Sequence, residues 1–239
     1  MKISIISHFY NHHQEVRNQI AHWESFIQSR TDEIEFILID DFSDEVFQPS
    51  SSKLKIRNIR IDSDIPWNQA GCRNLGAYLA RGEWLLIFDI DQFLNPIALQ
   101  TILENINQLN SMTLHYLKCK PIYNSVDNAT AIYHPNSYLV NADTFRRLGM
   151  YDEDFCGHYG YEDLFLPMAW EHNGGARTLL SGIDFFDADL PFETSNLNRN
   201  LERNKLLSIQ KMHVLQSLKS DEIWRPEGIL RFKWHELNH

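Results

Sequence analysis

Short apolar runs alternate with segments of helical periodicity in the first half of the chain. Four apolar runs predict strands at residues 2–10, 34–39, 54–61 and 84–88. Apolar residues at three- and four-residue spacing predict helices through residues 16–27, 72–79 and 99–106, the last one opened by Asn95 and Pro96. This alternation predicts an α/β fold with a mostly parallel central sheet and helices on both faces.

The second half of the chain has a mixed pattern. It predicts strands at residues 112–123 and 131–140, a short helix at 143–148 that ends at Gly149, and a long polar helix at 197–218. Residues 157–175 begin as a glycine-rich loop and continue as a helix that ends at Gly174. Pro167 within that segment predicts either a kink or a late start of the helix.

Composition and charge narrow the class of protein. The 239 residues are 43% hydrophobic and 12% aromatic, which predicts a folded core, and we expect one domain. The formal net charge of −10 argues against a nucleic-acid partner, since phosphate backbones are bound by clustered lysine and arginine.

The cysteines and the lengths of the apolar runs indicate the cellular compartment. The three cysteines lie far apart, which is typical of a reducing compartment, and no apolar run is long enough for a signal peptide or a membrane-spanning helix. We therefore expect a cytoplasmic protein. The tail at residues 223–234 mixes aromatic and basic residues, so it fits either a segment that covers the sheet or a peripheral contact at the inner face of the membrane.

Two acids directly follow the apolar run at residues 84–88. Asp89 and Asp91 lie on the same side of an extended chain, and carboxylates this close repel each other unless a cation lies between them. Mg²⁺ and Mn²⁺ accept carboxylate oxygens and keep positions for substrate phosphates. The pair therefore predicts a clamp for a metal-bound diphosphate. Two solvated acids in a turn would be the alternative for an isolated pair.

Other predicted strands of the first half also end in polar or aromatic residues. Tyr10 ends the first strand, and Asp40 and Asp41 follow the second. Ligands of parallel sheets bind beyond the carboxyl ends of the strands, so these residues and the two acids are expected at one edge.

Four segments together resemble the GT-A fold nucleotide-sugar glycosyltransferases of family 2. In order, they are FYNHHQEV, ILIDDFSDE, WNQAGCRNLGAYLARGEWLLIFDIDQFL and LGMYDEDFCGHYGYEDLFL. The last segment is also similar to a block of the β-1,4-galactosyltransferases and chondroitin-type polymerases. The resemblance implies one GT-A domain over residues 1–239, with a nucleotide-sugar-binding half at 1–110 and an acceptor-binding half with C-terminal helices at 111–239.

The resemblance implies an inverting, metal-dependent transfer of a hexose or N-acetylhexosamine. The donor would be a UDP-sugar, with galactose or N-acetylgalactosamine favoured, and the acceptor a hydroxyl of a glycan or lipid-linked saccharide. On the donor side, Phe9 and Tyr10 would line the nucleobase pocket. Asp40 or Asp41 would accept the uracil N–H, and Arg73 would contact the nucleotide.

The resemblance also implies the metal ligands and the catalytic acids. Asp89 would face the ribose or the metal, and Asp91 would bind the metal, Mn²⁺ or Mg²⁺. Asp187 lies where related chains carry a histidine ligand, and it would be the third ligand. Asp163, or else Glu162, would be the general base for the acceptor hydroxyl. A plain helix N-terminus is the alternative interpretation of these two acids.

Three aromatic residues carry further expectations. Phe42 replaces the glycine of the similar family segment, which predicts an altered nucleobase pocket. We expect Trp67 and Trp170 to belong to the core.

Three other functions remain open on the sequence. A nucleotidyltransferase would need a glycine-rich loop after the first strand, and SHFYNHHQ has no glycine there. A glycosidase could use Asp91 and Asp163 as its two carboxylates, although a parallel sheet fits that class poorly. The third possibility is a non-catalytic or hydrolytic module that binds UDP-sugars, because the histidine ligand of related chains is absent here.

Overall fold

The computed structural model describes residues 1–27, 32–48, 52–119, 133–187 and 198–237. Its strands are β1 (Ile3–Phe9), β2 (Ile34–Asp40), β3 (Ile56–Ile61), β4 (Trp84–Ile87), β5 (Gln92–Leu94), β6 (Thr113–Cys119), β7 (Tyr133–Asn141), β8 (Ala176–Asp187) and β9 (Trp234–Glu236). Its helices are α1 (His13–Phe26), α2 (Gln69–Leu79), α3 (Pro96–Asn105), α4 (Ala142–Leu148), α5 (Glu162–His172) and α6 (Glu202–Ser217), with 3-10 turns at Ile106–Gln108 and Glu153–Phe155.

The strands of these described ranges form one nine-stranded sheet in the order β5-β8-β6-β7-β4-β1-β2-β3-β9. The central strands β3, β2, β1 and β4 are parallel, which confirms the expected α/β fold. Beyond β4 the sheet is mixed, because β7 runs antiparallel to β4 and β6 antiparallel to β7, while β8 runs parallel to β6. The edge strands β5 and β9 are both antiparallel to their neighbours.

Helices cover both faces of the sheet, as the alternating pattern predicts. Along β1, Ile3 and Ile5 belong to the apolar cluster that includes Trp23 of α1, whereas Ile6 belongs to the opposite cluster with Leu75 of α2. This alternation is the two-residue period of a strand buried on both sides. Each fully buried side chain of this kind contributes about 1.5–3 kcal/mol to folding.

Helix boundaries follow the capping residues. The Asn95 side chain accepts a hydrogen bond from the Ile97 N–H at 2.9 Å, and Pro96 occupies the first turn of α3. Gly149 ends α4 with a left-handed φ of 118°. Helix α5 begins at Glu162 and runs through Pro167, so the late start that this proline suggested is wrong. The missing N–H of Pro167 leaves the Asp163 carbonyl without its helical donor.

The C-terminal tail lies on the sheet. Phe232 is buried, Ile229, Leu230 and Trp234 pack against the same cluster as α2, and β9 hydrogen-bonds to β3. The structure therefore gives the tail the sheet-covering role that the sequence left open beside membrane contact. None of the helices in the described part of the chain is long and apolar enough to cross a lipid bilayer.

Candidate active site

A cavity of about 610 Å³ opens beyond the carboxyl ends of β1, β2 and β4 and faces the first turn of α5. It brings together most of the residues that the sequence assigned to a site. They are Phe9, Tyr10, Asp41, Asp89, Asp91, Glu162 and Asp163. The register explains this arrangement, because Phe9 lies opposite Asp40, and the next residues along each strand, Tyr10 and Asp41, therefore leave the sheet side by side.

The structure separates the roles of the neighbouring acids after β2. Asp40 is fully buried and accepts hydrogen bonds from Arg60 Nη1 at 2.6 Å and from the Ser43 N–H at 2.8 Å. Asp41 lines the cavity and accepts a hydrogen bond from Asn68 Nδ2 at 3.0 Å. Burial raises the pKa of Asp41 to about 7. Asp40 thus anchors the loop, and Asp41 is the acid available to a ligand.

Phe42 lies between this acid and Ser43 in the sequence. Its φ of 63° is the left-handed conformation that a glycine adopts without strain. The ring is 36% exposed, and the Arg60 guanidinium lies 5.3 Å from its centroid. Within the described residues it does not line the cavity. Phe42 therefore makes no direct contact with the cavity that would explain the expected change in the nucleobase pocket.

Arg73 lies behind the cavity wall, where it holds Asp89. Its Nη2 donates to Asp89 Oδ1 at 2.6 Å, and Asn136 Nδ2 donates to Asp89 Oδ2 at 3.3 Å. Burial raises the pKa of Asp89, but the charges of Arg73, His134 and His8, together with the hydrogen bond from Arg73, outweigh it, and the net pKa lies below the ordinary value. Asp89 is therefore a fixed carboxylate, and Arg73 positions it.

His8 also lines the cavity, as a residue near the end of β1 that the sequence allows on the donor side. It is largely buried, and its Nδ1 has no hydrogen-bond partner within the described residues. Burial, followed by the charge of Arg73, lowers the pKa of His8 to about 4, so the ring is neutral at pH 7. Only its place one residue before Phe9 in the strand could have indicated this position.

The described side chains offer a divalent cation two carboxylates. No group of three or more histidine, cysteine or acidic side chains within them is arranged to hold a metal. Asp89 and Asp91 both line the cavity. Asp187 is the last residue of β8 and pairs with Gln92, next to Asp91, but its side chain lies outside the described structure. Two carboxylates suit Mg²⁺ or Mn²⁺, which complete their coordination with water and substrate phosphates.

Two acids begin α5 and line the same cavity. Gly160 and Tyr161 both have positive φ, 81° and 75°, and this turn directs the first residues of α5 to the cavity. Burial, with a contribution from Asp163, raises the pKa of Glu162 to about 7, and burial also raises the pKa of Asp163. Carboxyl groups with a raised pKa are suited to accept a proton near neutral pH.

Of the two tryptophans expected in the core, Trp170 lies there and Trp67 does not. Trp170 is buried, and its indole N–H donates to the Ala176 carbonyl at 3.1 Å. Trp67 lines the cavity, 4.5 Å between ring centroids from Tyr159, so its expected place in the core is wrong. Trp67 has a left-handed φ of 52°, and the sequence carries no sign of that backbone conformation.

The fold and this cavity combine the carboxyl edge of a parallel sheet with a pair of acids at the start of a helix. Residues 4–130, just over half of the chain, match the family described as "Glycosyltransferase like family 2". The chain belongs to this family. A Haemophilus influenzae protein described as an uncharacterized glycosyltransferase is 32% identical over 123 residues, which are 50% of this chain and 40% of that relative.

Solved structures share the fold at low sequence identity. S. aureus TarS 1–349 in complex with UDP-GlcNAc aligns with a TM-score of 0.72 at 15% identity, over 92% of this chain and 68% of the other. GalNAc-T7 with UDP, GalNAc and Mn²⁺ aligns with a TM-score of 0.66 at 13% identity, over 90% of this chain and 50% of the other. The architecture is therefore the GT-A type that the sequence predicts. This chain spans well under two-thirds of the Haemophilus relative and half of GalNAc-T7.

Proposed function

We propose that the protein is an inverting, metal-dependent glycosyltransferase that uses a UDP-sugar. It would transfer a hexose or N-acetylhexosamine, with galactose and N-acetylgalactosamine to be tested first, to a hydroxyl of a glycan or lipid-linked saccharide. The observation that supports the proposal is a cavity that places Asp41, Asp89 and Asp91 at the ends of strands and Glu162 and Asp163 across from them.

The strand ends would bind the nucleotide. Tyr10 offers an aromatic face, and Asp41, beside Asn68, offers a carboxyl group to the uracil N–H. Asp40 would act only through the loop that it anchors with Arg60, and Arg73 would act through Asp89. The UDP and UDP-GlcNAc of the TarS structures and the UDP of GalNAc-T7 favour the same donor nucleotide here.

Asp91 would hold the divalent cation, with Asp89 beside it and Asp187 as a third candidate. When bound, the cation neutralises charge on the departing diphosphate. Asp89 keeps its negative charge because Arg73 fixes its carboxylate. The orientation of both acids follows from the register of β4 and from the turn that leads into β5.

The first turn of α5 would activate the acceptor hydroxyl. Asp163 would take its proton, and Glu162 would hydrogen-bond the acceptor sugar. Because this turn faces the strand ends across the cavity, the acceptor oxygen would approach the anomeric carbon opposite the leaving diphosphate, and the configuration would invert.

Calorimetric titration of UDP, with Mn²⁺ and with EDTA, tests the donor side. We expect Mn²⁺ to tighten UDP binding by about tenfold or more, and Asp91→Ala to remove that gain while leaving metal-free binding intact. Asp143→Asn is the matched control, since that acid is 95% exposed on α4. Absence of UDP binding in both conditions would reject the proposed donor.

Release of UDP and of free sugar from UDP-sugars distinguishes transfer from hydrolysis. A transferase releases UDP faster when an acceptor saccharide is added, and the product anomer shows whether the configuration inverts. Asp163→Asn is expected to bind UDP like the wild type but to lower turnover by roughly 10²–10⁴-fold, the usual contribution of a general base. Metal-dependent release of free sugar that no acceptor accelerates would favour the hydrolytic module instead.

A further inference from the structure

The two acids after β4 belong to a β-turn and not to the extended chain that the sequence predicts. The Gln92 N–H donates to the Asp89 carbonyl at 3.1 Å, so Ile90 and Asp91 occupy the two central positions of this turn. We call residues 89–92 the acid turn. Its central residues lie between the end of β4 and the start of β5, outside the pairings of the described sheet. Contacts other than strand pairing must therefore fix the direction of the Asp91 side chain.

The side chain of Gln19 reaches the acid turn from α1. Its Nε2 donates to the Ile90 carbonyl at 2.9 Å and also to the Gln92 carbonyl. These two carbonyl groups belong to the residues directly before and after Asp91. Because a carbonyl oxygen can only accept a hydrogen bond, the amide nitrogen of Gln19 has to face the turn. Gln19 thus holds the backbone on both sides of Asp91 at the same time.

A polar side chain at position 19 departs from the apolar pattern of α1. Val16 and Trp23, three residues before it and four residues after it, lie on the helix face that packs in the core. Gln19 is fully buried on this face, and its Oε1 has no hydrogen-bond partner within the described residues. Burying an amide costs free energy that only hydrogen bonds recover. The bonds that Gln19 makes go to the acid turn, which points to a role there.

Buried side chains of β5 and β7 hold the other end of the acid turn. The Gln92 Oε1 accepts the Asp89 N–H at 3.4 Å and also the Ser137 hydroxyl group. Gln92 and Ser137 are both buried. These bonds fix Asp89, whereas the two bonds of Gln19 flank Asp91. Residues behind metal ligands commonly orient them, and Mg²⁺ requires near-ideal ligand geometry. A turn held from both sides has its shape before a cation binds.

We propose that Gln19 is a positioning residue for the candidate metal site. By holding the carbonyl groups of Ile90 and Gln92, it directs the Asp91 carboxylate toward the divalent cation of a metal-bound diphosphate. This inference rests on the proposed function, because it concerns the cation that Asp91 would hold. Within the described residues, the cavity lining does not include Gln19, so it acts only through the acid turn. It raises affinity for the cation in the UDP complex and leaves metal-free UDP binding unchanged.

The test replaces Gln19 by methionine or by leucine, which fill a similar volume and have no hydrogen-bond donor. Calorimetry measures UDP affinity with Mn²⁺ and with EDTA, and electron paramagnetic resonance measures Mn²⁺ affinity in the presence of UDP. His22→Leu is the matched control. The His22 Nε2–H donates to the Leu94 carbonyl at 2.8 Å, so this residue also joins α1 to a backbone carbonyl, but beyond the acid turn. Urea unfolding is recorded for each variant.

We expect both Gln19 variants to bind UDP in EDTA like the wild type and to bind Mn²⁺ in the UDP complex about tenfold more weakly. A loss of this size is usual when a residue that orients a metal ligand is removed. His22→Leu should lower stability and keep the Mn²⁺ effect. The proposal is overturned if both Gln19 variants keep the full Mn²⁺ effect, or if His22→Leu loses as much of it. Absence of any Mn²⁺ effect in the wild type would reject the metal-dependent donor site, and this inference with it.

Hydrogen exchange of the wild-type protein tests the same inference without a substitution. The Asp89 and Gln92 N–H groups should be protected from exchange in EDTA, because the acid turn has its shape before a cation binds. Exchange of both groups at the rate of an unfolded chain in EDTA, with protection only after Mn²⁺ and UDP are added, would show that the cation shapes the turn. That result would overturn the role of Gln19.

Discussion

Single residues in the cavity differ in charge because their nearest partners differ. Asp89 is paired with Arg73 at 2.6 Å, and its pKa falls below the ordinary value although burial acts against this. Arg73 also lowers the pKa of Glu162, but burial together with Asp163 outweighs this and raises the pKa to about 7. The same chemical group is therefore a permanent anion on one side of the cavity and a proton acceptor on the other.

Glu162→Gln is expected to stabilise the protein above neutral pH. The folded pKa of Glu162 is raised, so the unfolded chain ionises first, and stability falls as the pH rises from about 4.5 to about 7. The substitution removes that loss, which amounts to about 3 kcal/mol of unfolding free energy at pH 8 and close to none at pH 4. Urea unfolding at both pH values measures the difference.

The control for this substitution is Glu171→Gln in the same helix. Glu171 is exposed and paired with Arg177, so its removal should change stability by less than about 1 kcal/mol at either pH. A gain for Glu162→Gln that is equal at both pH values would contradict the raised pKa.

At the scale of elements, the turn before α5 determines where the proposed catalytic acids lie. Gly157 and Gly160 both have positive φ, and the turn that contains them brings Tyr159 and Glu162 to the cavity. A Cβ on Gly160 would lie 2.8 Å from Leu201 Cδ2, whereas a Cβ on Gly157 would meet nothing within 4 Å. Alanine substitutions at the two glycines therefore distinguish the effect of backbone strain from the effect of a steric contact.

Gly157→Ala is expected to destabilise the fold by about 1 kcal/mol through φ alone. Gly160→Ala should cost more, because the new methyl group also displaces Leu201, and it should lower turnover by moving the first turn of α5. Urea unfolding and UDP release measure the two effects. Gly228→Ala is the neutral control, since its φ is not in the left-handed region and its nearest atoms lie at 3.5 Å. Equal losses at all three positions would refute this explanation.

At the scale of the whole molecule, the C-terminal tail closes one edge of the sheet. Phe232 packs into the cluster shared with α2, close to Gly71, and β9 protects the backbone of β3. A tail that joins residues so far apart in the sequence stabilises the sheet that carries the donor side of the cavity.

Phe232→Ala is expected to destabilise the protein by about 3–4 kcal/mol, since it removes a buried aromatic ring. Urea unfolding measures this loss, and Ile223→Ala, at a residue that is 51% exposed, is the control with little effect. Equal stability of the two variants would mean that the tail is not part of the cooperative unit.

The sequence predicted the parallel half of the sheet well because its strands are continuous apolar runs with regular helices between them. It missed β5 and β9, which are three residues long, and β8, whose pairing with β6 and β5 is set by contacts distant in the sequence. The strand-end acids could be predicted as a set. Their individual roles could not, because Arg60 decides between Asp40 and Asp41, and backbone φ decides where Trp67 lies.

The change of strand direction at β4 divides the sheet into a parallel half and a mixed half. β4 pairs in parallel with β1 on one side and antiparallel with β7 on the other, and the cavity lies across this boundary. Substitutions in β6, β7, β8 and the loop before α5 can reshape one wall without disturbing the register that joins β1, β2 and β4. Chimeras that keep residues 1–110 and the C-terminal tail, and exchange only β6, β7, β8 and the loop before α5, are therefore a practical route to new acceptor preferences on a constant frame for the proposed nucleotide site.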